Sequence, residues 1–121
     1  MTEGENPKRY DLEEPTYEFA RRLRVFIKLL NKTLANIEDA KQVIRASGSV
    51  GSNYIEANEA LSKKDFLMRI KICRKEAKES RFFLGLIDTV DNSQAERQQQ
   101  ALVQAAQELT NIFGAILRKS E

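Results

Sequence analysis

The sequence predicts an all-α protein, an antiparallel up-down-up-down four-helix bundle. Apolar residues recur at alternating intervals of three and four over four long segments, which places them on one face of each helix. Residues that cap or end helices separate these segments, and short connections between long helices favour antiparallel neighbours. No strand-like alternation and no linker rich in glycine and proline competes with this interpretation.

The chain of 121 residues is expected to form one domain, because a chain of this size can bury about two thirds of its unfolded surface in a single core. Residues 1–9 contain Gly4 and Pro7 and are almost entirely polar. We therefore predict a disordered N-terminal lead over residues 1–9 and a single bundle domain over residues 10–121.

The first helix is predicted to begin between Asp11 and Pro15 and to end near Asn31. Asp11, with Glu14 three residues later, resembles a capping box, and proline suits a first helical turn, where its missing N–H would be unpaired anyway. The apolar face of this helix carries Thr16, Phe19, Leu23, Phe26 and Leu30.

The second helix contains the segment ASGSVGSN at residues 46–53, which could break it. Gly48 and Gly51 each cost about 1 kcal/mol relative to alanine in a helix interior, a cost that close packing against a neighbouring helix must offset. Helical phase nevertheless persists through the segment, in the row Ile37, Ala40, Ile44, Ser47, Gly51, Tyr54, Asn58 and Leu61, with Val43, Val50 and Ala57 beside it. We therefore predict one continuous helix from an N-cap at Asn36 to about residue 61.

The third helix is predicted to begin after Ser62, which has Asp65 three residues later as in an acidic capping box. It is expected to continue to about Val90, where a turn at residues 91–93 ends it. Its apolar face carries Phe66, Ile70, Cys73, Ala77, Ser80, Leu84 and Ile87.

The fourth helix is expected from about Gln94 to Lys119, with Ser93 and Glu96 as a capping box. It carries two apolar rows: a first row of Leu102, Ala105, Leu109, Ile112 and Ile116, and a second row of Val103, Ala106, Thr110, Phe113 and Leu117. One explanation of the second row is a wide core face. Because so much exposed apolar area is unusual on a monomer, we favour the other explanation, in which the second row forms the interface of a homo-oligomer.

The residues available for catalysis are few. Histidine is absent and Cys73 is the only cysteine, which excludes an intrachain disulfide, the common zinc sites and the usual general base. Cys73 lies on an apolar face and is expected to be buried and unreactive. Glu56 with Glu59, and Glu76 with Glu79, are each three residues apart but lack the histidine of a di-iron bundle. We expect no enzymatic activity, no metal and no cofactor.

Glu76 borders the apolar face of the third helix, where a carboxylate is costly unless it is paired. We therefore predict that Asn53, Glu56 and Glu76 join a partly buried polar network with an arginine. The alternative for these acidic residues is surface ion pairing, of the kind that Glu59 and Lys63 can form at i,i+4 spacing.

Positive charge is concentrated in residues 62–81, which carry eight basic and three acidic side chains. Helical spacing produces two basic stripes: Lys64, Lys71, Arg74, Lys75, Lys78 and Arg81 on the third helix, and Arg21, Arg24, Lys28 and Lys32 on the first. Such stripes can follow a phosphate backbone without reading base sequence, so we predict that the protein binds RNA or DNA. The alternative is a protein-interaction or scaffold module on which these stripes are only solvated.

The N-terminal residues are acidic and polar, unlike a secretory signal, and no apolar run approaches the roughly 18 residues of a membrane span. We expect a soluble, cytoplasmic protein without a membrane partner.

The chain resembles the 23S rRNA intervening-sequence protein family, also called four helix bundle proteins, in two segments: SVGSNYIEANEALSKKDFLMRIKICRKEAKESRFFLGLI at residues 49–87 and YDLEEPTYEFARRL at residues 10–23. The most specific parts are Ser49-Val50 followed by Asn53 and Glu56, and Glu76-Ala77-Lys78-Glu79-Ser80 before Phe82-Phe83-Leu84. Pro15 departs from the family pattern, in which a basic residue is common at this position.

This resemblance implies a bacterial, antiparallel four-helix bundle with a continuous second helix, assembled as a ring-like homopentamer. Members of the family are encoded within insertions in 23S rRNA genes or elsewhere in the genome, and their biochemical role is mostly unassigned. The accessory variability protein of diversity-generating retroelements is similar in architecture and binds a reverse transcriptase and nucleic acid through a basic surface. By analogy, that role would fall on Lys71, Lys75 and Lys78.

Overall fold

The structure is a computed structural model and describes residues 11–120. It contains four α-helices and, within this range, no strand, which confirms the all-α prediction. The predicted disordered lead, residues 1–9, lies outside the described residues. The helices are α1 (Glu13–Ile27), α2 (Leu34–Asn58), α3 (Lys63–Leu86) and α4 (Ser93–Ser120).

On α1 and α3 the core is built from the helix faces that the spacing of apolar residues predicts. On α1 the buried residues are Thr16, Phe19, Leu23 and Phe26, and on α3 they include Ile70, Cys73, Ala77, Ser80 and Leu84. The rings of Tyr54 from α2 and Phe113 from α4 meet with their centroids 6.3 Å apart. Burial of such aromatic and aliphatic side chains supplies most of the stabilisation of a bundle of this kind.

Helix α1 begins at Glu13, within the predicted range of Asp11 to Pro15, but its cap and its end differ from the prediction. Leu12 is the N-cap residue and its side chain makes no capping bond, while the Asp11 carboxylate accepts a hydrogen bond from the Glu13 N–H at 3.0 Å. The capping box predicted for Asp11 and Glu14 is therefore wrong. The helix ends at Ile27, four residues before the predicted end at Asn31. The N–H groups of residues 28–30 bond to carbonyls three residues back, which tightens this last turn.

Helix α2 runs without a break through residues 46–53, as predicted. Packing explains why glycine is tolerated there: a Cβ on Gly51 would lie 3.1 Å from Oγ1 of Thr16 on α1. The most deeply buried row is Val43, Val50 and Ala57, beside the row that the sequence favoured. The helix ends at Asn58, so Leu61 is not part of it and is 97% exposed.

Asn36 was predicted to cap α2, but Thr33 does so, with its hydroxyl accepting the Asn36 N–H at 3.1 Å. The Asn36 side chain is buried and joins other segments instead. Its Nδ2 donates to the carbonyls of Asn31 and Asp88, each at 3.0 Å, and its Oδ1 accepts the Asp88 N–H at 2.9 Å. The start of α2 is thereby tied to the residues that follow α3.

Helix α3 has the predicted cap: the Ser62 hydroxyl accepts the Asp65 N–H at 3.1 Å. The helix ends at Leu86, four residues before the predicted Val90, because Ile87 has an extended conformation. The side chain of Gln99, on α4, donates to the carbonyls of Leu84 and Ile87 at the end of α3. The Leu84 carbonyl also accepts the Ile87 N–H at 3.3 Å, so Gln99 adds a second bond there and binds the Ile87 carbonyl beyond the helix end.

Asn92 caps α4 in place of the capping box predicted for Ser93 and Glu96. Its Oδ1 accepts the Ala95 N–H at 2.9 Å, and its Nδ2 donates to the Leu29 carbonyl beyond the end of α1 at 3.2 Å. An asparagine cap uses the carbonyl oxygen for the helix and leaves the amide nitrogen free to bind another segment.

The second apolar row of α4 was predicted to form an oligomer interface, and for most of the row this is wrong. Ala106, Thr110 and Phe113 are buried within the single chain, while Val103 and Leu117 are half-buried against the same core. Helix α4 packs against both α3 and α1, so two adjacent faces are covered by the chain itself. The wide core face is the explanation of the second row.

Candidate nucleic-acid interface

A basic cavity lies beside the exposed face of α3. Its volume is about 270 Å³, and it is lined by Lys71, Arg74, Lys75, Lys78 and, from α4, Leu117. The basic residues stand at intervals of three, one and three along the helix, which keeps them on one side of it. The structure thus brings together four of the six α3 residues that the sequence predicted to bind nucleic acid.

The charges in this cavity are poorly neutralised. Within residues 11–120, the side chains of Lys71, Arg74 and Lys78 form neither an ion pair nor a hydrogen bond. Lys75 Nζ lies 3.8 Å from the Glu76 carboxylate, and no acidic residue lines the cavity. A concave surface lined by charges of one sign concentrates counter-ions of the other, so the cavity attracts anions.

Arg118 was missed by the sequence analysis and extends the cluster from the α4 side. An added Cβ on Gly114 would lie 3.4 Å from Nη1 of Arg118 and 3.5 Å from Nε of Arg74. The two guanidinium groups therefore converge over the same glycine. The i,i+4 spacing of Gly114 and Arg118 is a signal in the sequence, but only the packing of α4 on α3 places Arg74 beside it.

Lys64 and Arg81 are exposed on α3 but do not line the cavity. Lys64 lies two turns before Lys71, and Arg81 lies just beyond Lys78, so both prolong the stripe in the directions of the helix axis.

The stripe predicted on α1 is separate from the α3 cavity, and two of its members have partners. Arg21 binds the Glu18 carboxylate, with Nη2 2.9 Å from Oε1, and this hydrogen bond lowers the pKa of Glu18 and raises that of Arg21. Arg24 donates to the carbonyls of Ala20 and Ile44. Lys28 and Lys32 have no side-chain partner in the described range.

A second basic cavity, of about 490 Å³, lies between α1 and α4. Arg21 and Arg22 of α1 and Arg97 of α4 line it, together with Gln94 and Gln98. Of these three arginines, only Arg21 was predicted from the sequence, because Arg97 lies 76 residues after it and joins Arg21 and Arg22 only through the contact of α4 with α1.

The family model described as 23S rRNA-intervening sequence protein matches residues 13–115. The chain belongs to this family. Its helices also match the crystal structure of a protein with unknown function from the S23 ribosomal protein family of Bacteroides thetaiotaomicron VPI-5482. The TM-score is 0.72 at 25% sequence identity, over 88% of this chain and 98% of that chain. No curated protein matches the sequence. The resemblance to this family is thereby confirmed, and the fold is shared with a solved structure.

The polar network predicted for this 23S rRNA-intervening sequence family member forms only in part. Arg69 Nη1 donates to Asn53 Oδ1 at 2.9 Å, and Asn53 Nδ2 donates to the Ser49 carbonyl at the same distance. Glu56 is exposed and has no part in it. Glu76 is buried, with 9% of its surface exposed, and its Oε1 has no hydrogen-bond partner. The prediction of one network is wrong because Asn53 pairs with Arg69, whereas Glu76 lies two turns further along α3.

Within residues 11–120, the one cysteine is buried and metal-binding side chains do not cluster. The Cys73 thiol is buried, donates to the Val50 carbonyl with Sγ 3.4 Å from the oxygen, and has its pKa raised to about 12 by burial. No cluster of three or more histidine, cysteine, aspartate or glutamate residues within residues 11–120 could hold a metal ion. In the same range, no helix is both long and apolar enough to cross a membrane.

Proposed function

We propose that this member of the 23S rRNA-intervening sequence protein family is a non-enzymatic, cytoplasmic helical bundle that binds nucleic acid, RNA foremost, through the basic face of α3. The observation that carries this proposal is the cavity lined by Lys71, Arg74, Lys75 and Lys78 without an acidic residue. The match to a family named for an rRNA intervening sequence supports RNA as the first ligand to test.

The expected mode of binding is phosphate contact without strong sequence preference. Lysine and arginine side chains that neutralise phosphates release condensed counter-ions, and this gain does not depend on the bases. No aromatic residue lines the α3 cavity, so the stacking that holds bases in many single-strand binding sites is not provided there. Lys64 and Arg81 extend the contact along the bound nucleic-acid strand.

We also infer that the helices run up-down-up-down and that the chain assembles into a ring-like homo-oligomer, a pentamer on the family resemblance. Hydrogen bonds between opposite ends of neighbouring helices support the antiparallel order, at Asn36 with Asp88, at Asn92 with Leu29 and at Asn58 with Glu13. A ring would repeat the basic face in every subunit, and the summed field would strengthen binding to a polyanion.

A protein-interaction module is the second candidate, and one observation favours it. A mainly apolar cavity of about 440 Å³ lies between α1 and α2, with Gly48 and Gly51 in its lining, and beside it Tyr17 is about two thirds exposed and Ile55 about half exposed. Exposed apolar surface of this kind typically marks a binding surface for protein.

Salt dependence of RNA binding distinguishes the two candidates. We expect fluorescence anisotropy with a labelled single-stranded RNA to show an affinity whose logarithm falls linearly with the logarithm of salt concentration. Each of Lys71→Gln, Lys75→Gln and Lys78→Gln should reduce that slope by about 1. Lys41→Gln on α2, whose charge is paired with Glu38 at 3.4 Å, serves as the control and should leave the slope unchanged. No retention of RNA or DNA at low salt would favour the interaction module.

A further inference from the structure

We propose that the α3 cavity holds one phosphate group as a discrete site, and that Arg118 of α4 binds this group together with Arg74. This inference rests on the proposed function, since it assigns the ligand chemistry of the same surface. The proposed site differs from a diffuse basic stripe, because it requires residues of both α3 and α4 and because Gly114 leaves room for the two arginines.

The convergence of Arg74 and Arg118 is the first argument. Nε of Arg74 and Nη1 of Arg118 lie within 3.5 Å of the point that a Cβ of residue 114 would occupy. Gly114 is buried, so a larger residue in its place would crowd both guanidinium groups. Two like charges near one point repel each other, and an anion bound between them would remove that repulsion. Neither guanidinium has an acidic partner within residues 11–120.

The number and type of donors indicate phosphate. A carboxylate is satisfied by one guanidinium, whereas a phosphate presents several oxygens around a tetrahedral centre and carries up to two charges. The cavity supplies the ammonium groups of Lys71, Lys75 and Lys78 besides Arg74, with Arg118 beside them. Arginine contributes a planar pair of donors and lysine a point charge, a combination that suits phosphate.

The size and lining of the cavity limit the ligand to the phosphate itself. About 270 Å³ accommodates a phosphate group and some water, and Leu117 is the apolar part of the lining. With no aromatic side chain in the lining, a base attached to this phosphate would lie outside the cavity. Three sources share this chemistry: an internal phosphodiester, a terminal phosphate monoester of RNA, and free inorganic phosphate.

The test compares Arg118→Gln with Lys119→Gln in the full-length protein. Both residues are exposed in the last turn of α4 and both changes remove one positive charge. Only Arg118 is among the groups nearest to a Cβ on Gly114, where it stands next to Arg74. Anisotropy at low salt should show that Arg118→Gln weakens RNA binding about tenfold or more, while Lys119→Gln changes it by less than about threefold. Arg74→Gln should match Arg118→Gln. Circular dichroism checks that all three variants are folded.

Three probes distinguish the sources of the phosphate. Tighter binding of a 5′-phosphorylated RNA than of the same RNA with a 5′-hydroxyl, lost in Arg118→Gln, assigns the site to a terminal monoester. Equal binding of both RNAs, weakened by Arg118→Gln, assigns it to the phosphodiester backbone. The third probe is calorimetry with inorganic phosphate and no RNA. Phosphate binding that is lost in Arg118→Gln supports the discrete site even if the protein binds no RNA. In that case only the proposed function fails.

Equal effects of Arg118→Gln and Lys119→Gln on an RNA that the wild-type protein binds would overturn the discrete site and leave the proposed function standing. Absence of binding to RNA and to inorganic phosphate at low salt would overturn both.

Discussion

At the scale of single residues, Gly51 shows how one missing side chain sets the distance between two helices. A Cβ at this position would lie 3.1 Å from Thr16 Oγ1 and 3.4 Å from Thr16 Cβ. Thr16 is itself held in place, because its hydroxyl donates to the Leu12 carbonyl at 2.6 Å. The loss of helix propensity at Gly51 is thus offset by close packing of α2 on α1.

Gly51→Ala is expected to lower the free energy of unfolding by about 1 kcal/mol, since overpacking against Thr16 outweighs the gain in helix propensity. Gly85→Ala is the matched control, because Gly85 is also helical but an added Cβ would meet nothing within 4 Å. That variant should be more stable than wild type by about 0.5 to 1 kcal/mol. Urea unfolding measures both, and an equal stabilisation by the two alanines would contradict the close contact at Gly51.

Cys73 is expected to resist thiol reagents in the folded protein. Burial raises its pKa from the ordinary 9.0 to about 12, so almost no reactive thiolate exists at pH 8. A colorimetric disulfide reagent should label the thiol slowly at pH 8 and rapidly after unfolding in urea. Since the folded-state pKa is the higher one, the stability linked to this group is complete below pH 9 and is lost as the pH rises towards 12. Equal labelling rates with and without urea would show that the thiol is accessible.

At the scale of helices, side-chain amides join the ends of the four elements. Asn36 ties the start of α2 to Asp88, Asn92 ties the start of α4 to Leu29, and Gln99 closes the end of α3. An amide side chain suits these positions because it donates and accepts at once, which matches the unpaired N–H and carbonyl groups that meet where helices end.

Asn36→Ala is expected to lower the free energy of unfolding by about 2 kcal/mol, because it removes three hydrogen bonds and leaves partly buried backbone groups of Asn31 and Asp88 without these partners. Thr33→Ala, which removes only the cap of α2, should cost about 1 kcal/mol. Urea unfolding of both variants tests the difference. If Asn36→Ala costs no more than Thr33→Ala, the side-chain bridge between α2 and α3 contributes nothing to stability.

At the scale of the whole molecule, the single chain itself covers most of the apolar rows of α4, so a subunit interface is expected to use mainly other surfaces. Large exposed apolar side chains include Tyr17 and Ile55 beside the α1–α2 cavity, and Phe82 and Leu86 near the end of α3. The basic cavity of α3 is lined by different residues. Self-association through an apolar surface would therefore leave the proposed phosphate-binding cavity accessible.

Light scattering coupled to size exclusion is expected to give a mass of several times the 13.9 kDa chain, five times for a homopentamer. Replacing Tyr17 with lysine at the exposed α1–α2 surface should lower this mass if that surface carries the contact. The ratio of absorbance at the nucleic-acid and protein maxima, recorded in the same run, reveals bound RNA. The mass of a single chain at high protein concentration would exclude the ring.

Local physical chemistry was sufficient for the parts of this protein that depend on neighbours in sequence. The continuous α2 and the Ser62 cap were predicted correctly, because helical phase and capping involve residues within one or two turns. The caps at Thr33 and Asn92 were not, because Asn36 and Ser93 satisfy the same local preference for a polar cap residue. The roles of Asn36 and Asn92 depend on segments more than 50 residues away in sequence: Asn36 binds Asp88, and Asn92 binds Leu29.

The sequence by itself determined four amphipathic helices and a basic α3, since both follow from which residue types recur at helical spacing. Only the tertiary structure decided that the second row of α4 is core and that Arg118 converges with Arg74 over Gly114. The physical reason is that amphipathic spacing shows which face of a helix avoids water, but not how much of that face neighbouring helices cover. That extent depends on the contacts of α4 with both α1 and α3, which form only when the chain folds.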